Sequence, residues 1–379
     1  MEVMMMNYRL SDVCKIKYGK DHKKLSDGEV PVYGSGGIIR YVDTALYTES
    51  SVLIPRKGTL GNLFFVDKPF WTVDTLFYTE IDESKVIPAY LYYKLKTMDL
   101  ANLNVGSAVP SLTTAILNQI NLKVPSLSIQ REIVKILTSL DDKIAVNNNI
   151  NHHLEQMIST IFENTFVDKC NTIKLQLQNV ADISNGFSFK STNLIDSPTG
   201  ECRAVFKMGN IIAGGGISHS STKSWVSHKN YPDNKFLSCT GDILMSMTDM
   251  KNNVRLLGHT ALIDKNSEYY VNQRVGIIRS KNKNEWMYLY PLTNSQGFIN
   301  ILRSRANSGV QVNLTTTTIK EMEFQFPKED AMRNYISSVS PLFFNKFLLE
   351  QEIISLKSLR DTLLPKLLSG EISVSQATK

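Results

Sequence analysis

Cysteine is scarce in this chain and never clustered. Cys14, Cys170, Cys202 and Cys239 are scattered over 379 residues with no C-x-x-C pair among them. That spacing argues against a zinc site and for reduced, structural thiols in a cytoplasmic setting. No run of 18 apolar residues occurs, so no helical membrane span is expected. The opening MEVMMMNYRL has no basic region leading into an apolar core, so no secretory signal is expected either. Catalytic signatures are missing as well. There is no Asn-Pro dipeptide, which removes the Asn-Pro-Pro-Tyr type of amino-methyltransferase motif, and there is no GxxxxGK[ST] phosphate loop. The six histidines show no HExxH or other ligand spacing, and the adjacent His152 and His153 point to different faces of a helix. Asp74 with Glu83-Ser84-Lys85 loosely fits the Asp…Glu-x-Lys pattern of metal-dependent nucleases. Asp-Glu-Ser-Lys followed by Val-Ile-Pro reads better as a turn after a strand. No catalytic residue, metal or cofactor is expected on this chain.

A further absence is structural. From Leu127 to Phe166 there is neither glycine nor proline. Ile129, Ile133, Ile136, Leu140, Ile144, Leu154, Ile158 and Ile161 recur every three or four positions, or at multiples of that spacing, which draws one apolar stripe along a helix. Ser128 is a candidate N-cap. At 1.5 Å per residue the helix would be roughly 60 Å long, and such helices usually pair. The partner is expected in the same chain, in Lys328–Ser369. A shift of 202 sets Pro125 on Pro327, Val134 on Ile336, Leu137 on Val339, Leu140 on Leu342, Leu154 on Leu356, Met157 on Leu359 and Ile161 on Leu363. Leu112-Thr113-Thr114 falls on Leu314-Thr315-Thr316 under the same shift, so this is a sequence repeat. Pro341 and Pro365 predict kinks or a broken last turn in the second helix. Asn147 lies on the apolar seam, where it either fixes register or marks a looser NNNINHH stretch.

The net charge of +6 is unevenly placed. Residues 1–126 carry 14 basic and 13 acidic side chains, residues 127–166 sum to −2, residues 167–327 carry 18 basic and 12 acidic, and residues 328–372 sum to zero. The excess sits on a globular part rather than on the helices, a modest footprint for a polyanionic partner or merely a soluble basic domain.

The first globular part predicts strands at Ser51–Pro55, Asn62–Val66 and Asp74–Ile81, glycine turns at Gly34 to Gly37, Gly58 and Gly61, and a short helix over Pro88–Met98. The second repeats the plan: Leu10-Ser-Asp-Val13 before Gly19 matches Leu177-Gln-Asn-Val180 before Gly186, Val52-Leu53-Ile54 matches Ile243-Leu244-Met245, and a helix near Glu285–Arg303 takes the place of the first. The fold class is therefore α+β, with two tandem variable domains, each followed by a long helix. Antiparallel pairing of the two helices would give a coiled coil with pseudo-twofold symmetry and one globular domain at each end of a rod.

This arrangement resembles the specificity subunit of type I restriction–modification systems. Arg360-Asp-Thr-Leu-Leu-Pro-Lys-Leu-Leu-Ser-Gly-Glu-Ile372 is similar to that family's distal helix ending. Ile129-Gln-Arg-Glu-Ile133 after Val124-Pro125 is similar to its entry into the central helix, and Gly241-Asp-Ile-Leu-Met-Ser246 to a motif of its target recognition domains. In the first half Ser50-Ser-Val-Leu-Ile-Pro55 replaces the Gly-Asp of that motif. The resemblance implies a first target recognition domain over 1–126, a central spacer helix over 127–168, a second recognition domain over 169–327, a C-terminal spacer helix over 328–372 and a tail over 373–379. It implies a non-catalytic subunit that reads a bipartite site on double-stranded DNA. Its helices would set the gap and dock two methyltransferase subunits, with restriction (translocase/nuclease) subunits joining. S-adenosylmethionine, ATP and Mg would belong to those partners. The alternative is a coiled-coil protein-interaction scaffold that reads no bases.

Candidate DNA contacts are the basic and amide side chains of the glycine-rich loops, because Arg can bind guanine, Asn and Gln can bind adenine, and Lys meets phosphate. In the first domain these are Lys20, Lys23, Lys24, Ser35, Arg40, Arg56, Lys57, Thr59 and Asn62. In the second they are Lys207 and Asn210 before Gly214–Gly216, then Lys223, then Ser246, Thr248, Lys251, Asn252 and Arg255 of one loop, and Asn272, Gln273 and Arg274 of another.

Overall fold

The structure, a computed structural model, describes residues 4–103, 111–166, 172–250, 254–308 and 311–377. It forms two compact units, Met1–Asn147 with Glu352–Lys379, and Asn148–Gln351.

In chain order the first unit carries β1 (Met6–Arg9), α1 (Leu10–Val13), β2 (Cys14–Tyr18), β3 (Val30–Gly34), β4 (Gly37–Val42), β5 (Ser51–Pro55), β6 (Phe64–Val66), β7 (Trp71–Thr72), β8 (Leu76–Ile81), α2 (Pro88–Lys96), α3 (Thr114–Asn118), β9 (Asn121–Val124) and the start of α4 (Leu127–Phe166). One sheet has the order β2-β8-β5-β6 and a smaller one β4-β3-β7, while β1 pairs with β9. The strand expected from Asn62 begins only at Phe64, because Asn62 belongs to the preceding turn, where its N–H donates to the Thr59 carbonyl at 3.1 Å. Val52 and Ile54 of β5, Phe77 of β8 and Tyr90 and Leu91 of α2 are wholly buried with Leu137 of α4, so sheet, helix and coil share one core. Each such side chain contributes about 1.5–3 kcal/mol on burial.

The second unit carries β10 (Thr172–Gln176), α5 (Leu177–Val180), β11 (Ala181–Asn185), β12 (Leu194–Ile195), β13 (Cys202–Phe206), β14 (Trp225–Ser227), β15 (Ile243–Ser246), β16 (Thr248–Met250), β17 (Thr260–Leu262), β18 (Tyr269–Val271), β19 (Val275–Ser280), α6 (Trp286–Asn294), α7 (Gln296–Ser304), β20 (Asn307–Ser308), β21 (Gln311–Asn313), α8 (Thr316–Lys320), β22 (Glu323–Pro327) and the start of α9 (Glu329–Ser369). The end of α9 and the short α10 (Val374–Ala377) belong to the first unit. The sheet β11-β19-β15-β17 answers β2-β8-β5-β6. The parallel pair β13·β18 answers β3·β7, and β10·β22 answers β1·β9. Thr113 and Thr315, 202 residues apart, cap α3 and α8 through the same side-chain bond to the N–H three residues on. The helix expected over 285–303 is two helices, because Ser295 is extended and its hydroxyl caps α7.

The two long helices pair antiparallel within each unit. In the first unit the partners are Asp141 with Arg360, Lys143 with Glu352, and Asn147 with Glu352. In the second they are Glu155 with Lys346. The buried seam of α4 is Ile133, Leu137, Ile144, Leu154, Ile158 and Phe162. Ser128 is not the cap: α4 starts at Leu127, and the Gln130 N–H donates to the Ser126 carbonyl at 3.0 Å, so Ser128 lies inside the first turn. Gln130, fully buried, clamps the helix entry. Its amide donates to the Pro125 and Lys85 carbonyls at 2.9 and 3.1 Å and accepts from the Ile87 N–H at 2.9 Å. Of the kinks or broken last turn expected at Pro341 and Pro365, the broken turn does not occur: α9 runs unbroken from Glu329 to Ser369. Each proline removes a single N–H bond, while the buried Val339 and Phe343, and Leu364, Leu367 and Leu368, hold the flanking turns. Lys346 is 3% exposed. Burial works against its charge, but the Glu350 and Glu155 carboxylates outweigh that and hold its pKa above the usual lysine range.

Candidate nucleic-acid interface

In each unit four segments meet at one end of the larger sheet, and glycine is what lets the first two meet. A Cβ on Gly19, which follows β2, would sit 2.1 Å from the Val73 carbonyl oxygen, and one on Gly186, which follows β11, 2.3 Å from that of Val271. The Gly19 N–H donates to the Leu76 carbonyl at 3.1 Å, and the Gly186 N–H to that of Val275 at 3.0 Å. The third segment follows β3 or β13: the Val73 N–H donates to the Tyr33 carbonyl and the Asn272 N–H to that of Phe206, both at 3.0 Å. The fourth follows β5 or β15: the Arg56 N–H donates to the Thr75 carbonyl at 2.8 Å and the Met247 N–H to that of Arg274 at 3.1 Å.

Most first-domain candidates fall on these segments. Lys20, Lys23 and Lys24 are exposed on the loop after β2. Ser35 lies in the β3–β4 turn, and its carbonyl accepts from the Asn62 amide at 2.8 Å, tying that turn to the loop that holds Arg56, Lys57 and Thr59. Lys57 and Thr59 are exposed. Arg56 lies 5.4 Å over the ring of Tyr18 and donates to the Asp74 carbonyl at 3.3 Å. Tyr18, 52% exposed at the same place, has no counterpart among the candidates read from the sequence; its position directly before Gly19 was the available signal. Arg40 is different. It lies on β4, and its guanidinium is taken by Asp27 at 2.7 Å and the Leu25 carbonyl at 3.1 Å, so it braces the loop rather than facing outward.

The second domain divides its candidates more sharply. Gln273 and Arg274 are exposed in the tight β18–β19 turn, and Asn272 is half-buried there with its side chain accepting from the Arg274 N–H at 3.3 Å. Lys223 and Arg255 are exposed; Thr248 is half-buried, and Lys207 is half-buried with its ammonium on the Ser224 hydroxyl at 2.6 Å. Two candidates are corrected. Asn210 is 1% exposed, and its amide is spent on the Ser218 carbonyl, the Thr222 hydroxyl and the Lys207 N–H, so it clamps the loop from within. Ser246 is wholly buried, its hydroxyl on the Thr248 carbonyl at 3.3 Å, because it ends a core strand. The Gly214–Gly216 turn rests on its own unit: the Gly214 N–H donates to His259 Nδ1 at 3.2 Å, and a Cβ on Gly215 would lie 2.7 Å from the Tyr290 hydroxyl. Burial holds the His259 pKa below the usual histidine range, with Arg303 adding to the effect. Lys251 and Asn252 lie outside the described residues.

The Gly-Asp motif at 241–242 is architectural. Asp242, 1% exposed, takes the Arg279 guanidinium with both oxygens at 2.7 Å. Gly241 has φ +87°, with the Trp286 ring 2.7 Å from where a Cβ would stand. Asp74 and Glu83 lie beyond opposite ends of the six-residue β8, roughly 20 Å apart at strand rise. Lys85 is taken by Asp82 at 2.9 Å. No nuclease grouping forms there, and no cluster of three or more metal-ligating side chains occurs among the described residues.

Residues 2–156 and 173–356 match the type I restriction modification DNA specificity domain. The chain belongs to that family. It is 22% identical over 356 residues to the type I restriction enzyme MjaIX specificity subunit of Methanocaldococcus jannaschii, covering 87% of this chain and 79% of that one. Over a 397-residue alignment it is 23% identical to the HindI specificity subunit of Haemophilus influenzae, covering 84% and 85%. Its fold is that of the type I restriction-modification S subunit from M. genitalium, with a TM-score of 0.63 at 14% identity and 96% of each chain covered. A specificity subunit is a non-catalytic component, in keeping with the missing catalytic motifs. Among the described residues no helix is long and apolar enough to cross a membrane.

Proposed function

We propose that this chain reads a bipartite site on duplex DNA, one part with each unit, for a type I restriction–modification complex. The observation that carries this is the duplicated frame with unlike loops. The strand of each parallel pair that comes first, β3 or β13, is followed by a two-residue turn in the first unit, between Gly34 and Gly37, but by the whole segment 207–224 in the second, between Phe206 and Trp225. Two readers that share a scaffold and differ in loops can recognise different sequences at a separation fixed by their connection.

The chain works with methylase and restriction subunits. Two methyltransferase subunits docked on the paired helices is the stoichiometry the internal repeat favours, because a duplicated helix offers a duplicated surface. S-adenosylmethionine, ATP and Mg are assigned to those partners. The DNA-facing set is Lys20, Lys23, Lys24, Ser35, Arg56, Lys57, Thr59 and Asn62 in the first unit. In the second it is Lys207, Lys223, Thr248, Arg255, Asn272, Gln273 and Arg274. The test exchanges residues 169–327 for the same domain of a relative. One half of the methylated target should change and the other half persist. A change in both halves, or in neither, sinks the two-reader account.

A further inference from the structure

Most glycines of these units have an internal reason to be glycine. Gly19 and Gly186 face a carbonyl too closely for any side chain, and Gly37, Gly58, Gly214, Gly215, Gly216 and Gly241 have φ in the left-handed region. Gly36, Gly61 and Gly209 have neither reason. None takes a left-handed φ, and a Cβ built on any of them meets nothing within 4 Å. Among the described glycines only Gly297, in the first turn of α7, shares both properties.

The places of these glycines are not scattered. Tyr33 and Phe206 are equivalent, since each accepts from the turn before the last strand of the larger sheet. Three residues beyond each stand Gly36 and Gly209. The same open glycine therefore recurs at the same point of the duplicated frame, although the loops around it have different lengths and sequences. Gly61 lies on the neighbouring loop, which the Asn62 bond to the Ser35 carbonyl holds against the Gly36 turn. Exposed Lys57 shares the loop of Gly61. Lys207, half-buried with its ammonium on the Ser224 hydroxyl at 2.6 Å, precedes Gly209 by two residues. A glycine that the fold does not need, set beside cations, is what close approach of a large anion would require, because a methyl group there would hold the anion off.

We propose that Gly36 and Gly209, with Gly61 beside the first, are the points where the phosphodiester backbone of duplex DNA comes into van der Waals contact with the two units. This rests on the DNA-reading function above and names the part of the duplex met at these turns. Phosphate contacts fix register without reading sequence, so they can be common to both units while the base contacts differ. One frame then seats two different readers on the duplex in the same way.

The test is Gly36→Ala, Gly209→Ala and Gly61→Ala, with Gly297→Ala as control, in the full-length chain assembled with its methyltransferase partner. Melting temperature should stay level or rise, because alanine fits the open space and restricts the unfolded chain. Affinity for target and non-target duplex should fall together, by roughly four- to eightfold for each phosphate held off at 0.1–0.2 M salt, and the salt dependence should become shallower. Gly297→Ala should leave binding unchanged. Unchanged affinity in Gly36→Ala and Gly209→Ala, a clear drop in melting temperature, or a loss confined to the target duplex would each overturn the proposal. If the unaltered assembly shows no sequence-selective binding, the DNA-reading function fails instead, and that result is separate from any behaviour of the variants.

Discussion

Asn147, fully buried in the helix pair, donates its side-chain amide to the Glu352 carboxylate at 2.8 Å. Glu352 is also met by Lys143 at 3.6 Å. A buried amide that finds its acceptor on the facing helix favours one register over a slip by a turn. Glu352→Ala should destabilise the first unit by about 1–3 kcal/mol, because the amide loses its acceptor. Asn147→Leu should hold or raise the melting temperature while weakening register control. Thermal melts and inter-helix crosslinking measure both effects. A Glu352→Ala variant as stable as the parent would show that water replaces the carboxylate.

The Arg360 guanidinium meets Asp141 at 2.7 Å, and the Tyr93 hydroxyl donates to the other Asp141 oxygen at 2.6 Å. The residue numbers sum to 501 for this pair and for Glu155 with Lys346, and to 499 for Asn147 with Glu352; Lys143, whose sum with Glu352 is 495, reaches that carboxylate at 3.6 Å from one turn before Asn147. Cysteines at 141 and 360, with the native thiols replaced, should therefore crosslink within one chain. Leu140 with Leu356 sums to 496, about one turn out of register, and should crosslink less well. Crosslinks only between chains would refute the intramolecular pair.

Arg274 is exposed in the turn that ends at β19. If it reads guanine, Arg274→Ala should cost about 1–3 kcal/mol of binding and relax one position of the second half-site. Competition binding against single-base variants of the target separates this from a phosphate contact, whose removal weakens all sequences alike and lowers the salt slope.

His259 accepts from the Gly214 N–H, and its pKa is lowered by burial. Below an ordinary histidine pKa of about 6.5 the unfolded chain binds more protons at this site than the folded one, so stability falls with falling pH. The slope should be at most about 1.4 kcal/mol per pH unit, and His259→Gln should flatten it between pH 6.5 and 5. Denaturant titrations across that range read the effect. An identical slope in both proteins would assign it to other groups.

The two long helices, the duplication and the family were legible in the sequence. The apolar stripe, the shift of 202 and the Leu-Thr-Thr match are local or periodic signals, carried by the order of residues along the chain. It also determined that the amino-methyltransferase and phosphate-loop motifs are missing. It could not say that Asn210 and Ser246 face inward, or that Arg40 is spent on Asp27. The partners of Arg40 lie 13 and 15 positions away and two of those of Asn210 lie 8 and 12 away, and loop polarity looks the same whether a side chain clamps the loop or leaves it. Nor could the sequence say that α9 would run unbroken past Pro341 and Pro365, because the apolar side chains beside them, Val339, Phe343 and Leu364 among them, are anchored in cores built by distant parts of the chain. Only the tertiary structure distinguished glycines the backbone needs from Gly36, Gly61 and Gly209, since that difference lies in what a missing methyl group would have touched.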